Sequence, residues 1–387
     1  MGAIYSPREM IDRLVAFDTT SRNSNLGLIE FVAGYLDGHG LKPLLVPNAK
    51  GTKANLYVTI GPDEAGGIVL SGHTDVVPVD GQQWSSDPFA TAERDGKLFG
   101  RGTCDMKSFC AIALAAVPAF VAARPRKPIH IALSYDEEIG CLGVRPLIAH
   151  IARHLPKPDM VIIGEPSDMQ VVNAHKGIRA FRTTVTGRES HSSHTDKGVN
   201  AVMVAAELIV YLEELAEDMR RRGDASGRFD PPYTTVQSSV IHGGTALNIL
   251  ARECTFQWEY RCLPGTNEDE ISERFTRHVQ DQVLPRLRRV ATESDVSTVA
   301  GARVPALTPV QDCPAEALAR QLSGRNSAEA VSYGTEAGLF QEGGIPAVVC
   351  GPGSILQAHK PDEFIALEQI DACVAFMQRL ADHVRSN

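Results

Sequence analysis

The chain has 387 residues, of which 43% are hydrophobic and 22% are charged, and its formal net charge is -9. An acidic protein repels polyanions, so this charge argues against nucleic acid or an anionic membrane surface as the main partner. The length exceeds the size at which a single core usually divides, so we expect two domains.

The eight cysteines are scattered along the chain without C-x-x-C pairs. This favours reduced thiols in a cytosolic protein over a disulfide framework. Cys110, Cys254, Cys350 and Cys373 lie in apolar runs and are expected in the core. No stretch reaches the roughly 18 uninterrupted apolar residues of a membrane span, and the N-terminus lacks a signal-peptide pattern. We therefore expect a cytoplasmic protein with no membrane partner.

The first part of the chain alternates short apolar strands with helices. Predicted helices cover 7–17, 28–38, 106–123 and 143–154, and predicted strands cover 54–60, 67–72, 129–135 and 159–163. Ser6 and Glu9 form a capping box at the start of the first helix. The helix at 106–123 is apolar on nearly all sides and should be buried. Continuous apolar strands between helices predict a mostly parallel sheet covered on both faces, which makes the fold class α/β.

The pattern changes after Gly177. Alternating strands are predicted at 178–187, 233–241, 254–262 and 289–299, and amphipathic helices at 199–219 and 267–284. The order β-α-β-β-α-β is that of a split, ferredoxin-like α/β sandwich. From about Gly301 the alternation of short apolar strands with helices returns, with predicted helices at 314–323 and 366–385 and predicted strands at 329–333 and 345–350. We therefore expect one domain of residues 1–176 plus 300–387, with 177–299 inserted into it.

Metal-ligand side chains collect where the predicted strands end, and ligands of open α/β sheets bind at the carboxyl ends of strands. His73 and Asp75 lie two residues apart in "VLSGHTDVVP". Glu137 and Glu138 end the strand "IHIALSYDEEIG", and Glu165 ends the next one in "VIIGEP". Several carboxylates are thus expected at one edge of the sheet.

Two further loops belong to this group. Asp105 in "GRGTCDMK" precedes the buried helix, and His359 in "GPGSILQAHKPDE" follows the last strand. Alone, each residue has a structural explanation: a helix cap, a hydrogen-bonded histidine or a solvated glutamate pair. Five such loops beside apolar segments indicate a metal site instead, because closely packed carboxylates without a cation would cost several kcal/mol.

We predict two divalent metal ions at this edge, with five ligands: His73, Asp105, Glu138, Glu165 and His359. One imidazole and one terminal carboxylate per ion, with Asp105 bridging, would serve two ions about 3.5–4 Å apart. Mixed nitrogen and oxygen ligands favour Zn, Co or Mn over Ca or Mg. Asp75 is expected to hold the far nitrogen of His73.

Several of these segments together resemble the M20 family of dinuclear metallohydrolases. The similarity runs from about Ile11 to the C-terminal helix in conserved order and spacing. It implies the ligand set above, a cis peptide bond between Asp105 and Met106, and a middle domain that acts as a lid and forms a homodimer. The segments that carry it are "SGHTDVVPVDG…W…DPF", "GRGTCDMK", "DEEIGCLG", "GEPS", "GGTALNI" and "GPGSILQAHKPDEF".

The resemblance also separates the roles of the two adjacent glutamates. It implies that Glu138 binds a metal, whereas Glu137 acts as the general base on a water molecule and passes the proton to the leaving nitrogen. Asp136 is expected to be a structural hydrogen-bond acceptor. His191 in "GRESHSSH" matches a lid histidine that reaches the developing oxyanion across the dimer, with His194 as the alternative.

By the same resemblance, four residues bind the substrate carboxylate. Asn248 and Arg261 match the pair that grips it, and the arginine fork can donate two parallel bonds. Lys176 in "AHKG" and Thr335 in "YGTEAG" fall where related enzymes place further contacts. The alternative for Arg261 is a surface cation on a strand.

Within the family, "AHKG", "YGTEAGLFQ" and "AHKPDEF" are most similar to members that remove the Nα-acetyl group of ornithine, a reaction of arginine biosynthesis. The alternatives are a succinyl-diaminopimelate desuccinylase or a broad N-acyl-amino-acid deacylase. A metal-free binding protein of the same fold is disfavoured, because Glu137 and all five ligands are present. Ser108 departs from the glycine that is common in relatives at this position.

Overall fold

The computed structural model describes residues 2–386. Its strands are β1 (Leu44–Pro47), β2 (Ala54–Ile60), β3 (Ile68–His73), β4 (Ala92–Arg94), β5 (Lys97–Phe99), β6 (Ile129–Ser134), β7 (Met160–Pro166), β8 (Val171–His175), β9 (Gly177–Thr186), β10 (Thr235–Gly243), β11 (Glu253–Cys262), β12 (Asp295–Val304), β13 (Ala328–Val331), β14 (Ala347–Gly351) and β15 (Phe364–Ala366). Its α-helices are α1 (Pro7–Val15), α2 (Leu26–Gly38), α3 (Lys107–Ala115), α4 (Val117–Ala123), α5 (Val144–His154), α6 (Ala201–Arg222), α7 (Glu270–His278), α8 (Leu284–Arg288), α9 (Pro314–Ser323), α10 (Ala337–Glu342) and α11 (Leu367–Ser386).

The described chain forms two compact units. The first contains the chain up to Ala174, Leu307–Ala330 and the chain from Thr335 onward, and the second contains His175–Ala306 and Val331–Gly334. Strand β12 belongs to the second unit and pairs with β9 as far as Val304. The boundary expected after residue 299 therefore falls inside a strand.

The first unit is built on an eight-stranded sheet in the order β1-β2-β6-β3-β7-β14-β8-β13. The four central strands β6, β3, β7 and β14 are parallel, whereas β1, β2 and β8 pair antiparallel with their neighbours. Strands β3 and β6 are buried along their whole length. A sheet covered on both faces leaves no exposed alternation, which explains the continuous apolar runs. The prediction of a mostly parallel sheet is confirmed.

The buried helix predicted at 106–123 is two helices. α3 ends at Ala115 and α4 starts at Val117, with Pro118 in its first turn. Proline lacks the N–H that continues a helix, so it favours the start of a new one. The expected burial is confirmed, since every residue of α3 from Lys107 to Leu114 is buried.

Two other elements differ from expectation. The segment 76–104, for which no strand was predicted, contains the hairpin β4–β5. The predicted helix 267–284 consists of α7, a π-helical turn at Val279–Val283 and α8, and Pro285 again lies in the first turn of the new helix. The following strand begins at Asp295 rather than at residue 289, because α8 reaches Arg288 and hydrogen-bonded turns occupy 289–294.

The second unit has an antiparallel sheet in the order β10-β11-β9-β12. Along the chain its elements follow as β9, α6, β10, β11, α7–α8 and β12, which is the predicted split order. Every second residue of β11 is buried, including Phe256, Trp258 and Tyr260. These rings pack in one core with α6 and α7, so one face of the sheet carries the helices.

Among the described residues, no helix is both long enough and apolar enough to cross a membrane.

Candidate metal centre

The parallel order of β6, β3 and β7 brings three strand ends to one edge of the first sheet. His73, the last residue of β3, is only 1% exposed. Its Nε2 atom lies 3.0 Å from Oδ1 of Asp105 and 3.6 Å from Oε1 of Glu165, which lies near the end of β7. One imidazole thus faces two buried carboxylates.

A second histidine lies on the other side of Asp105. Nε2 of His359 is 3.4 Å from Oδ2 of Asp105 and 3.0 Å from Oε2 of Glu138. The two oxygens of Asp105 therefore face different histidines, and each histidine has a further carboxylate beside it. This is the arrangement expected of a carboxylate that bridges two cations.

The three glutamates of the site have raised pKa values, whereas the pKa of Asp105 is lowered. Burial raises the pKa of Glu137 to about 8 and that of Glu138 to about 7, and burial together with nearby Asp105 raises the pKa of Glu165 well above its usual value. Hydrogen bonds to Asp105 and Glu138 raise the pKa of His359 to about 10. Burial alone would raise the pKa of Asp105, but the two histidines outweigh it and hold it below its usual range. A divalent cation would replace these protons.

The donor atoms fit such a cation. Two groups of side chains each offer donor atoms within 4.8 Å of one another. The first is His73 with Glu137 and Glu165, and the second is His73 with Asp105 and Glu138. The donors are imidazole nitrogen and carboxylate oxygen, a set that suits Zn, Co or Mn.

Asp75 contacts both His73 and the glutamate pair. Nδ1 of His73 lies 2.9 Å from the main-chain carbonyl of Asp75 and 3.5 Å from Oδ1 of its carboxylate, so the carboxylate is beside the far nitrogen of His73. The carboxylate accepts bonds from the amides of Glu137 (3.1 Å) and Glu138 (3.3 Å) and from the hydroxyl of Ser21 (2.7 Å). Asp75 therefore holds the backbone of the glutamate pair.

The two adjacent glutamates face different partners. Glu138 contacts His359, whereas Oε1 of Glu137 accepts a bond from the Cys141 thiol at 3.1 Å. Asp136 before them pairs with Lys53, and its main-chain carbonyl accepts the amide of Leu142. The expectation of a structural role for Asp136 is confirmed.

Two expected details of the Asp105 loop can be compared with the structure. The peptide bond between Asp105 and Met106 is cis, as expected. Ser108 is fully buried in the first turn of α3, and its hydroxyl donates to the carbonyl of Thr103 at 2.5 Å. Serine at this position therefore ties the helix to the Asp105 loop.

Two buried glutamates near the site were not predicted. Glu363 accepts the amide of Asp105 at 3.0 Å, and Glu336 accepts hydroxyl bonds from Ser134 and, at 3.4 Å, from Ser71. Burial raises the pKa of Glu336 to about 7. Both residues lie inside segments that carry the resemblance, "HKPDEF" and "YGTEAG". Their position in these segments is the sequence signal that could have identified them.

Two predicted substrate residues are engaged with the protein itself. Thr335, in the first unit, is fully buried, and its hydroxyl accepts the amide of Ala337 at the start of α10. Lys176, in the second unit, donates to the carbonyls of Pro231 and Tyr233, both at 2.7 Å. Burial lowers the pKa of this lysine to about 8.

The other three lie in the second unit. His191 forms a β-bridge with Ile249, and Asn248 accepts the amide of Ser192 through its main-chain carbonyl at 3.0 Å. The loops of His191 and Asn248 are thus neighbours. Arg261 lies on β11, and its Nε atom donates to Glu259 at 3.3 Å.

Comparison with known proteins agrees with this picture. The family model described as peptidase family M20/M25/M40 matches residues 69–383. A relative named acetylornithine deacetylase from Pasteurella multocida is 34% identical over 387 residues, covering 98% of both chains. An M20 family metallo-carboxypeptidase from Sulfolobus solfataricus shares the fold with a TM-score of 0.77 and 17% identity, covering 99% of this chain and 100% of that one. A dinuclear metal-binding M20 peptidase from Bacillus subtilis has a TM-score of 0.68 and 15% identity, covering 98% of both. With this match across most of its length, and with its histidines and carboxylates gathered at one sheet edge, the chain belongs to peptidase family M20/M25/M40.

Proposed function

We propose that the protein hydrolyses the amide bond of N2-acetyl-L-ornithine to L-ornithine and acetate. The observation that carries the proposal is the full-length relative named acetylornithine deacetylase, which is 34% identical to this chain. The two histidine–carboxylate groups that share Asp105 support it. The free, buried cysteines support a cytoplasmic location for this reaction.

We infer that the site holds two divalent ions, Zn or Co by the donor set. His73 and Glu165 would hold one ion and His359 and Glu138 the other, with Asp105 between them. Two cations held there would polarise the amide carbonyl and lower the pKa of a water molecule.

Glu137 supplies proton transfer in this proposal. Burial raises the pKa of this carboxyl, and nearby cations would favour its ionised form, which can take a proton and later return it. The carboxylate takes the water proton as the new C–O bond forms. The same proton then goes to the amide nitrogen as the C–N bond breaks, which releases a neutral amine.

The second unit would act as the lid and bind the substrate carboxylate and oxyanion. The adjacency of the His191 and Asn248 loops supports a shared role, and Arg261 would turn from Glu259 to the substrate. Lys176 has three donors and uses two on carbonyls, which leaves one for a ligand. Thr335 would contact the substrate through its remaining hydroxyl proton.

The second unit also supports a homodimer. Met203 and Val210 on α6 are 66% and 60% exposed, and Val299 on the edge strand β12 is 64% exposed. Met203 and Val210 lie two helical turns apart on one face of α6, and an apolar patch exposed on one face can mark the surface where subunits meet. Analytical ultracentrifugation of the full chain should give twice the mass of one chain. The double variant Met203→Glu, Val210→Glu should sediment with the mass of a single chain.

The proposal is tested by measuring initial rates on two substrates, N2-acetyl-L-ornithine and N-succinyl-diaminopimelate. Each rate is measured with and without added Zn²⁺ or Co²⁺. We expect faster turnover of the acetyl substrate and activity that disappears with chelation and returns with metal. Preference for the succinyl substrate would identify a desuccinylase instead. Full activity after exhaustive chelation would contradict the metal mechanism.

A further inference from the structure

A buried carboxylate holds the backbone of the Asp105 loop. Glu363 is fully buried, and its Oε1 atom accepts three main-chain amides: Gly102 at 3.0 Å, Cys104 at 2.8 Å and Asp105 at 3.0 Å. Hydrogen bonds to a charged acceptor are stronger than neutral ones. The loop that presents the shared carboxylate is therefore fixed by a residue only four positions after His359.

The charge of Glu363 is balanced by an equally buried arginine. Arg101 is 1% exposed, and its Nη1 atom lies 2.7 Å from Oε2 of Glu363. The same nitrogen donates to the carbonyl of Lys360 at 3.3 Å, and the guanidinium lies 4.9 Å from the ring centre of Trp84. Arg101 thus contacts the His359 loop directly as well as through Glu363.

Gln82 completes the connection. Its Oε1 atom accepts from Nη2 of Arg101 at 2.6 Å and from Nε1 of Trp84 at 3.1 Å. Because both partners are donors, the amide oxygen must face them and the amide nitrogen must face away. That nitrogen donates to the main-chain carbonyl of His359 at 3.0 Å.

His359 depends on such backbone contacts. Its side chain is 56% exposed, so packing against neighbours does not fix it. Its φ angle is 64°, in the left-handed region that costs roughly 1–2 kcal/mol for a residue with a Cβ atom. The bonds to the carbonyls of His359 and Lys360 hold the chain in this conformation, which turns the imidazole toward Glu138 and Asp105.

We propose that Gln82 and Arg101 are positioning residues that lock the His359 loop to the Asp105 loop and thereby complete the second cation site. This inference rests on the proposed two-metal site. Loss of the Gln82 bond should weaken the site that contains His359 and leave the site of His73 and Glu165 intact. Disruption of hydrogen bonds that orient metal ligands typically weakens metal affinity about 10–100-fold.

The decisive variant is Gln82→Glu. A glutamate keeps the acceptor for Arg101 and Trp84 but loses the donor, and it places a carboxylate oxygen against the carbonyl of His359. Gln83→Glu is the matched control, because this exposed neighbour receives the same charge change. His359→Ala shows how the protein behaves when the second site lacks its histidine.

The measurement is calorimetric titration of Zn²⁺ into each chelator-treated, full-length protein, with the melting temperature recorded alongside. We expect two ions for the original chain and Gln83→Glu, and one tight ion for His359→Ala. Gln82→Glu should bind the first ion normally and the second at least tenfold more weakly. A merely structural role would instead lower the melting temperature and affect both ions alike.

The outcomes separate this inference from the proposed site. Equal zinc binding by the original chain and His359→Ala would contradict the two-metal site itself. If His359→Ala loses one ion while Gln82→Glu and Gln82→Ala both bind two ions as the original chain does, the positioning role is overturned. Gln82→Ala removes the donor without adding charge, so a second-site loss in both variants supports the tether.

Discussion

Glu137 and Glu138 are neighbours in the chain but have different surroundings. The Asp75 carboxylate holds both of their amides, and from this fixed backbone one side chain reaches Cys141 and the other reaches His359. Residue type alone predicted two carboxylates at this strand end. The proposed division of the pair into a metal ligand and a base rests on these separate contacts.

Glu137→Gln should keep the size of the side chain and remove its ability to take a proton. We expect kcat to fall by roughly 10²–10⁴-fold or more while zinc binding stays at two ions. Steady-state rates and calorimetric zinc titration measure the two effects separately. Near-normal turnover by this variant would rule out Glu137 as the base.

Cys141 offers a finer test at the same position. Its thiol donates to Oε1 of Glu137, so Cys141→Ala should leave that carboxylate free to rotate. A single hydrogen bond of about 1 kcal/mol corresponds to a roughly fivefold decrease in kcat. Cys141→Ser retains a donor and should recover most of the loss, with KM unchanged in both. Equal rates for the alanine and serine variants would show that the bond is unimportant.

Among the elements, those with long apolar or strongly patterned segments agree best with prediction. The capping box of Ser6 and Glu9 is present at the start of α1, and β2 and α9 have the predicted bounds. The short strands β4, β5 and β15 were not predicted, because three residues are too few to show a period. The prediction of one continuous helix over 106–123 was wrong, because Pro118 interrupts an otherwise uniform apolar run and starts a second helix.

Ser108 links an element to the site. Ser108→Ala removes the bond to the carbonyl of Thr103 and should lower the free energy of unfolding by about 1 kcal/mol. Ser108→Gly should lower it by a further 0.5–1 kcal/mol, roughly, because glycine weakens a helix. Urea unfolding of the chelator-treated protein measures both. A glycine variant as stable as the original would contradict this account.

At the scale of the whole molecule, the central sheet assembles the site. The parallel order of β6, β3, β7 and β14 places their carboxyl ends at one edge, so loops from distant parts of the chain meet there. The resulting concentration of carboxyl groups is stable only with protons or cations between them. Stability should therefore depend on both pH and metal.

We expect zinc to raise the melting temperature more at pH 8 than at pH 6. The folded-state pKa values of Glu137 and Glu138, about 8 and 7, lie above the unfolded value of about 4.3. The stability that these groups contribute is therefore largest below pH 4.3, roughly, and is lost as pH rises through 7 and 8. Zinc replaces the lost protons in the zinc-loaded protein. Only the chelator-treated, metal-free protein should therefore lose roughly 2–4 kcal/mol of its free energy of unfolding between pH 6 and pH 8.

Two other groups also contribute to the pH dependence. The pKa of His359 is raised to about 10, so the folded metal-free protein keeps a proton that the unfolded chain loses above about pH 6.5. This group therefore adds to the loss of stability of the metal-free protein as pH rises. The pKa of Lys107, lowered to about 7 by burial, gives the opposite trend, but it does so in both forms and cancels. Thermal unfolding with zinc or chelator at both pH values provides the measurement. A zinc effect that is equal or smaller at pH 8 would contradict the expectation.

The sequence by itself determined the α/β class, the split order of the second unit and the residues that meet at the sheet edge. These features are encoded locally, in apolar runs and in ligand side chains placed at strand ends. Only the tertiary structure decided that Asp75 holds the glutamate backbone, that Lys176 and Thr335 bond within the protein, and that Glu363 holds the Asp105 loop. The last contact joins residues as far as 261 positions apart. Hydrogen-bond partners at such separations depend on how the sheet brings loops together, and no local pattern records that geometry.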